Sequence, residues 1–293
     1  MTKKLLGRYT NGNYEVMIWN DGSKLRFNDK DNLTPEFPES IDCKISNKCD
    51  MGCPFCHEMS VPDGALANLN HPIFDSLPAW TELALGGGNV FAHPGLEDFL
   101  RRMAARHIIC NITVHLIHFR QYYDYIRYLV DNSLIYGVGV SVNGNIEESD
   151  IALFKSIPNL VIHCIAGVVP YSTLMKMAYH NLKLLILGYK IYGRGIAYEE
   201  EHKTITAHIE YLRSHMYELR DWFPIISFDN LAINQLCLKE AVSEEQWKHT
   251  YMGNDGQFTM YLDMVKEEYA RSSTSAREPI GAETDIRNLF NRV

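Results

Sequence analysis

No uninterrupted apolar stretch of this 293-residue chain approaches the roughly 18 to 20 residues needed to cross a bilayer. The basic start, Met1-Thr2-Lys3-Lys4-Leu5-Leu6-Gly7, is not followed by an apolar run of signal-peptide length. Together these absences predict a soluble, cytoplasmic protein with no membrane partner. Charge blocks, low-complexity segments and internal repeats are also missing, so neither a disordered tail nor a repeat architecture is expected. Excess positive charge is absent too. The formal net charge is -8, which argues against an extended nucleic-acid surface. A disulfide framework is excluded by cysteine usage: there are seven, an odd number, with three clustered and four scattered, a pattern that fits a reducing compartment.

What is present is an ordinary globular balance, 46% hydrophobic and 22% charged, enough for one large domain or two small ones. Residues 1–39 carry two hairpin signals, Asn11-Gly12 and Asp21-Gly22, between Leu5 to Tyr9, Tyr14 to Trp19 and Lys24 to Phe27. They predict an antiparallel β-meander. From Ile41 the texture changes to short apolar strands near 41–46, 81–85, 108–115, 135–143, 160–168, 183–190 and 224–229. Amphipathic stretches lie between them at Leu96 to Arg106, Arg120 to Asp131, Glu147 to Lys155, Ser172 to Tyr179 and His202 to Arg220. This alternation implies βαβ units and a parallel sheet over residues 40–230. Residues 231–293 break the rhythm with a short helix near Glu244 to Thr250, a turn at Gly253-Asn254-Asp255-Gly256, a strand near Phe258 to Val265 and a last helix from Asp285. They read as a C-terminal α+β extension or lid.

Several strands alternate where doubly covered parallel strands would read as continuous apolar runs. Asp42 and Lys44 oppose Ile41, Cys43 and Ile45, and Asn111, Thr113 and His115 oppose Cys110, Ile112 and Val114. Gly139, Ser141 and Asn143 stand against Val138, Val140 and Val142, and Ser227 and Asp229 against Ile226 and Phe228. With a period of two, each polar set occupies one face. If the apolar faces meet the helices, Asp42, Lys44, Glu82, Asn111, Thr113, His115, Ser141, Asn143, His163, Lys190 and Asp229 line a wet cavity for a polar ligand. Solvated edge strands would give the same pattern.

Cys49-Asp-Met-Gly-Cys53-Pro-Phe-Cys56 gathers three cysteines within eight residues. Gly52 and Pro54 keep this backbone out of regular structure, so the sulfurs can converge. A structural zinc site takes four Cys or His ligands, usually in two pairs, and no second Cys-x2-Cys pair follows. His57 or Cys43 could complete a zinc site of a non-catalytic module. Three thiolates alone suit an iron-sulfur cluster with one iron left open.

The Cys-x3-Cys-x2-Cys spacing, with Phe55 before the last cysteine and a first strand before the loop, resembles the signature of the radical S-adenosylmethionine (radical SAM) superfamily. By this resemblance Cys49, Cys53 and Cys56 hold a 4Fe-4S cluster, the methionine moiety chelates the fourth iron, and Phe55 lies near the adenine. The next strand runs into Gly86-Gly87-Gly88-Asn89, similar to the family's Gly-Gly-Glu motif, with His93-Pro94 following. Asn89 stands where glutamate is usual, and an amide oxygen accepts from an ammonium without the charge. Ser141-Val-Asn143-Gly144 resembles the Ser-x-Asp-Gly strand end that faces the cofactor's ribose and carboxylate. His163-Cys-Ile165-Ala-Gly167 resembles the adenine-contacting Gly-x-Ile-x-Gly pattern, with His163 in place of the first glycine.

The resemblance implies a partial (β/α)6 TIM-like barrel and a radical enzyme. A flavodoxin or ferredoxin-like donor would reduce the cluster, and S-adenosylmethionine would be cleaved to methionine and a 5'-deoxyadenosyl radical that takes hydrogen from the substrate. No Cys-rich extension follows the barrel, which favours a small molecule or nucleotide over a peptide. Lys190, Asp229 and His115 are the candidate catalytic residues on the cavity face. Lys190 would hold a carboxylate or phosphate, alongside Arg194 in Tyr192-Gly-Arg194-Gly195, and Asp229 would line the cavity mouth or cap the next helix. His118 and Cys237 read as packing residues. With Asn89 and Asn143 replacing acids, a degenerate relative that binds but does not cleave the cofactor is the other reading.

Overall fold

The structure is a computed structural model and describes residues 3–29 and 32–293. The hairpin signals are met: β1 (Leu5–Asn11), β2 (Tyr14–Trp19) and β3 (Lys24–Phe27) form a three-stranded antiparallel sheet in the order β1-β2-β3. The chain then builds a larger sheet from β4 (Ser40–Ser46), β5 (Glu82–Gly87), β6 (Ile109–His115), β7 (Gly137–Ser141), β8 (Leu160–Ile165), β9 (Lys183–Leu187) and β10 (Ile225–Phe228). Each pairs in parallel with the next. β11 (Thr259–Asp263) adds in parallel on the free side of β4, and β12 (Glu268–Ala270) and β13 (Glu278–Pro279) continue antiparallel, giving ten strands.

The crossovers carry α1 (Leu96–Ala105), α2 (Leu116–Gln121), α3 (Tyr123–Asp131), α4 (Glu148–Ser156), α5 (Tyr171–Met177), α6 (Arg194–Glu201), α7 (Ile205–Ser214) and α8 (Met216–Trp222). α9 (Asn230–Gln235), α10 (Glu244–Thr250) and α11 (Ile286–Phe290) belong to the last third. Two helices read as continuous are broken. Arg120 to Asp131 divides at Tyr122, and His202 to Arg220 divides at His215, where both residues leave helical geometry with ψ near zero.

The alternation of β6 to β9 appears as burial of one face. Ile112, Val140, Ile162, Leu184 and Ile186 are buried against Leu100, Met103, Phe119, Phe154 and Leu174 in one continuous core. Each such side chain contributes about 1.5–3 kcal/mol by leaving water. On the opposite face Asn111, Thr113, His115, Ser141 and His163 stay half-buried.

Among the described residues the sheet does not close by strand pairing, so a closed ring of strands is not found. It is nevertheless strongly curled. β9 and β12 are second and ninth in the strand order, roughly 34 Å apart if the sheet were flat. Three residues past their ends, Lys190 Nζ donates to Ser273 Oγ at 2.8 Å. Accumulated strand twist supplies such coiling.

The β1–β3 sheet covers the N-terminal ends of these strands. Glu39, 1% exposed, receives Arg26 at 2.7 Å and 3.0 Å and Tyr14 at 2.7 Å. Lys24 bridges Glu39 and Glu82 at 3.4 Å and 2.8 Å. Glu82, expected on the cavity face, is thus spent at the end of the sheet away from the cysteine loop. A cavity of 260 Å³ remains between Trp19 and Asn20 on one side and Asn111, Thr113 and His163 on the other.

Candidate functional site

The cysteine loop leaves β4 at its C-terminal end. Cys49 N donates to Val61 O at 2.8 Å and Val61 N to Asn47 O at 3.0 Å, pinching the base of the loop. Inside it, Gly52 takes φ +60 and Cys56 N donates to Cys53 O at 3.2 Å, closing a turn between the second and third cysteines. All three thiols are free and half-buried. Burial pushes the Cys49 and Cys53 thiols up, and for both the neighbouring Cys56 adds to the rise while Arg194 opposes it. The remaining cysteines are elsewhere: Cys43, Cys110 and Cys164 are in the core, and Cys237 adopts left-handed backbone before a short 3-10 turn.

Three elements hold this loop. The glycine turn after β5 packs on its entry: a Cβ on Gly87 would meet Ser46 O at 2.4 Å, and one on Gly88 would meet Lys48 O at 2.5 Å. Asn89 N donates to Lys48 O at 2.8 Å. On α2, buried His118 donates to Asp50 at 2.7 Å. At the start of α6, Arg194 reaches the carbonyls of Cys53 and Ser60 at 3.0 Å and 3.1 Å, and Phe55 meets Tyr198 edge to face at 5.6 Å.

The sequence-predicted residues fall at this end of the sheet, with different tasks. A Cβ on Gly86 would meet nothing within 4 Å, so this strand end faces open space. Asn89 is buried and its carbonyl oxygen caps the turn Val90–Ala92 by accepting from Phe91 N at 3.0 Å. His115, Ser141 and His163 stand side by side in register on β6, β7 and β8. Burial holds His163 down to about 4 and lowers His115, so both rings are neutral at pH 7. His115 also caps α2.

Asn143 is not directed at a ligand by its oxygen, which accepts from Ile165 N at 2.7 Å. Gly167, at φ +83, makes room for Ile205 of α7. Asp229 caps α9, accepting from Ala232 N at 2.7 Å and Gly188 N at 2.9 Å. Lys190 lies 3.3 Å from His57 Nε2. Asp42 is exposed on the inner face of β4. Its carboxyl is pushed up by desolvation and by Asp229, Asp255 and Glu58, against the pull of Lys190.

Lys44, expected on the open face, is 4% exposed and closed off by Glu58 at 2.9 Å and Asp263 at 3.2 Å. Arg277 joins Asp263 at 2.6 Å and Glu58 at 3.7 Å, and Tyr261 donates to Glu58 at 2.8 Å. Burial alone would raise Glu58; its bond to His57 and the Lys44 ammonium outweigh that and hold it low. This network behind the cysteine loop was missed in the sequence. Its one local signal is a carboxylate, Asp263, ending the apolar run Met260-Tyr-Leu.

No family model matches the sequence, and no curated protein matches it. Solved structures do match. Streptococcus suis SuiB bound to S-adenosylmethionine superposes with a TM-score of 0.58 at 11% identity, covering 88% of this chain and 66% of SuiB. The fold is that of SuiB. SuiB bound to its precursor peptide SuiA gives the same TM-score and identity with 65% of SuiB covered, and SuiB alone gives 0.55 at 13%. The chain thus spans slightly less than two thirds of SuiB, and at this identity the likeness is one of fold.

In this fold the cysteine loop leaves the C-terminal end of a parallel strand, where α/β proteins place their ligands. Ligand atoms of Cys49, Asp50 and His118 also lie within 4.8 Å of one another. Asp50 and His118 are bonded to each other, and this trio lacks the composition of a cluster site. No helix among the described residues is long and apolar enough to cross a membrane.

Proposed function

We propose that this chain is a radical SAM enzyme in which Cys49, Cys53 and Cys56 hold a 4Fe-4S cluster. The observation that carries the reading is three free, half-buried thiols on one loop beside the open strand end at Gly86, in a fold shared with a protein crystallised with S-adenosylmethionine. The residues suit both groups. Three thiols leave one iron for the cofactor, and the missing side chain at Gly86 leaves a cradle that a Cβ would fill. The curled sheet over residues 40–230 is read as a partial (β/α)6 barrel. The β1–β3 sheet closes one end of it, and residues 231–293 extend its wall through β11.

When bound, the two groups supply one-electron reductive cleavage of S-adenosylmethionine and the hydrogen abstraction that follows. The protein's own residues position and shield. Gly86, Gly87, Gly88 and Asn89 would form the wall next to the methionine end, Ser141, Asn143, Ile165 and Gly167 the wall next to the nucleoside, and Phe55 would lie near the adenine. Among the candidate catalytic residues, Lys190 offers an ammonium to an anionic group of the substrate, His115 a neutral ring, and Asp229 fixes the strand end beneath them. The free thiols suit a reducing, cytoplasmic setting and a flavodoxin or ferredoxin-like electron donor.

The polar inner face favours a polar small molecule or nucleotide as substrate. SuiB's complex with its precursor peptide favours a peptide as the second reading. Anaerobic reconstitution tests the core of the proposal. A brown protein with about four irons per chain, lost in Cys53→Ala, is expected, whereas a colourless zinc protein defeats it in favour of a non-catalytic metal-binding module.

A further inference from the structure

We propose that Arg194 is the positioning residue of the cysteine loop and the cation that sets the reduction potential of the cluster held there. This rests on the cluster reading above. Three bonds from this one residue embrace the loop. Its backbone N donates to Cys56 O at 3.2 Å, its Nε to Cys53 O at 3.0 Å and its Nη2 to Ser60 O at 3.1 Å. The preceding residue lets it come this close. Gly193 takes φ +57, and a Cβ there would meet His57 O at 2.5 Å.

All three partners are neutral carbonyls, and among the described residues Arg194 makes no ion pair. Its neighbours on α6, Glu199 to Glu201, do not cap it. An arginine often spends its charge on a carboxylate, so here the geometry leaves an unpaired positive charge against the backbone of the cysteine loop.

Reduction of the cluster adds one electron and one negative charge without moving an atom. An unopposed guanidinium beside the ligating sulfurs favours that reduced state over the oxidised one. The planar fork also fixes two carbonyls at once, which an ammonium does with less precision. Position and charge are therefore separable by substitution: Arg194→Lys keeps the charge and loosens the fork, and Arg194→Gln removes the charge.

The experiment reconstitutes wild type, Arg194→Lys and Arg194→Gln anaerobically, counts iron and sulfide, and measures the midpoint potential by EPR-monitored titration with dithionite and mediators. Limited proteolysis of the three metal-free proteins reports on loop order. The expected result is a midpoint in Arg194→Gln lower by about 59 mV, a tenfold loss of reduced protein at fixed potential. Arg194→Lys should keep the wild-type midpoint while its metal-free loop is cut faster. A retained cluster in Arg194→Gln with the wild-type midpoint overturns the assignment and leaves the cluster reading standing. If Arg194→Gln assembles no cluster, Arg194→Lys decides: a wild-type midpoint supports the charge, and failure to assemble overturns it. A wild-type protein that takes up no iron overturns the cluster reading, and this assignment with it.

Discussion

His118 and Asp50, 68 residues apart in sequence, are joined by a 2.7 Å hydrogen bond, with the ring 2% exposed and the carboxylate 65% exposed. Asp50 directly follows Cys49, so a histidine that reads as packing from sequence alone ties the first cysteine to α2. His118→Phe keeps most of the volume and removes the bond. Because Asp50 remains in water, the expected loss in denaturant unfolding is only about 1 kcal/mol. Asp50→Ala should add little in the His118→Phe background, and fully additive losses would count against the tie.

The three glycines after β5 should respond differently to substitution. Gly88→Ala drives a Cβ to 2.5 Å from the Lys48 carbonyl, a backbone atom that cannot step aside, and is expected to cost about 1–3 kcal/mol in stability. A Cβ at Gly86 meets nothing within 4 Å, so Gly86→Val should keep a melting temperature close to wild type. It fills the proposed cradle instead, and S-adenosylmethionine affinity by calorimetry should fall about tenfold. A Gly86→Val protein that binds the cofactor as wild type does places the cofactor elsewhere.

Glu39 carries a pH dependence whose sign follows from its partners. Burial raises its carboxyl, but the Arg26 hydrogen bonds and the Lys24 and Arg26 charges outweigh that and hold it below 4.5 in the folded protein. A depressed folded value means stability that is present above the unfolded value near 4.5 and lost as pH falls through the folded one. Denaturation midpoints should therefore drop on acidification below that range, and Glu39→Gln should flatten the dependence. Glu39→Ala, which strands Arg26 while Lys24 keeps Glu82 at 2.8 Å, is expected to cost about 3 kcal/mol at pH 7.

The strands and the meander were legible because their signals are local. Period-two alternation marked β6 to β9, and Asn11-Gly12 and Asp21-Gly22 marked the hairpins. The curl was not legible, since it is written in bonds such as Tyr261 to Glu58, 203 residues apart, and Lys190 to His57, 133 apart. The site was half legible. The cysteine loop follows β4 and the glycine turn ends β5, both at strand ends that the local pattern marks. Arg194, which reads as a cation for a ligand, instead bonds Cys53 O, and the Asn143 side-chain oxygen accepts from Ile165 N. Nothing near either residue in sequence announces such partners.

The charged network behind the cysteine loop should behave as a unit. Arg277→Met leaves Asp263, wholly buried, with Lys44 as its remaining close cation at 3.2 Å, and is expected to destabilise the fold by about 3–5 kcal/mol. Pairing it with Asp263→Leu should recover much of that loss, because an apolar pair removes the stranded charge. A double variant as unstable as the sum of the singles would show that the two residues act apart.

The central claim is that this chain cleaves S-adenosylmethionine reductively at a cluster on Cys49, Cys53 and Cys56. Chromatographic detection of 5'-deoxyadenosine after dithionite reduction of the reconstituted protein with S-adenosylmethionine tests it most directly. The account predicts 5'-deoxyadenosine from wild type and none from Cys53→Ala. Reduced wild-type protein that carries its cluster and binds S-adenosylmethionine, yet releases no 5'-deoxyadenosine even with substrate extracts added, would contradict it and leave a cofactor-binding relative without the reaction.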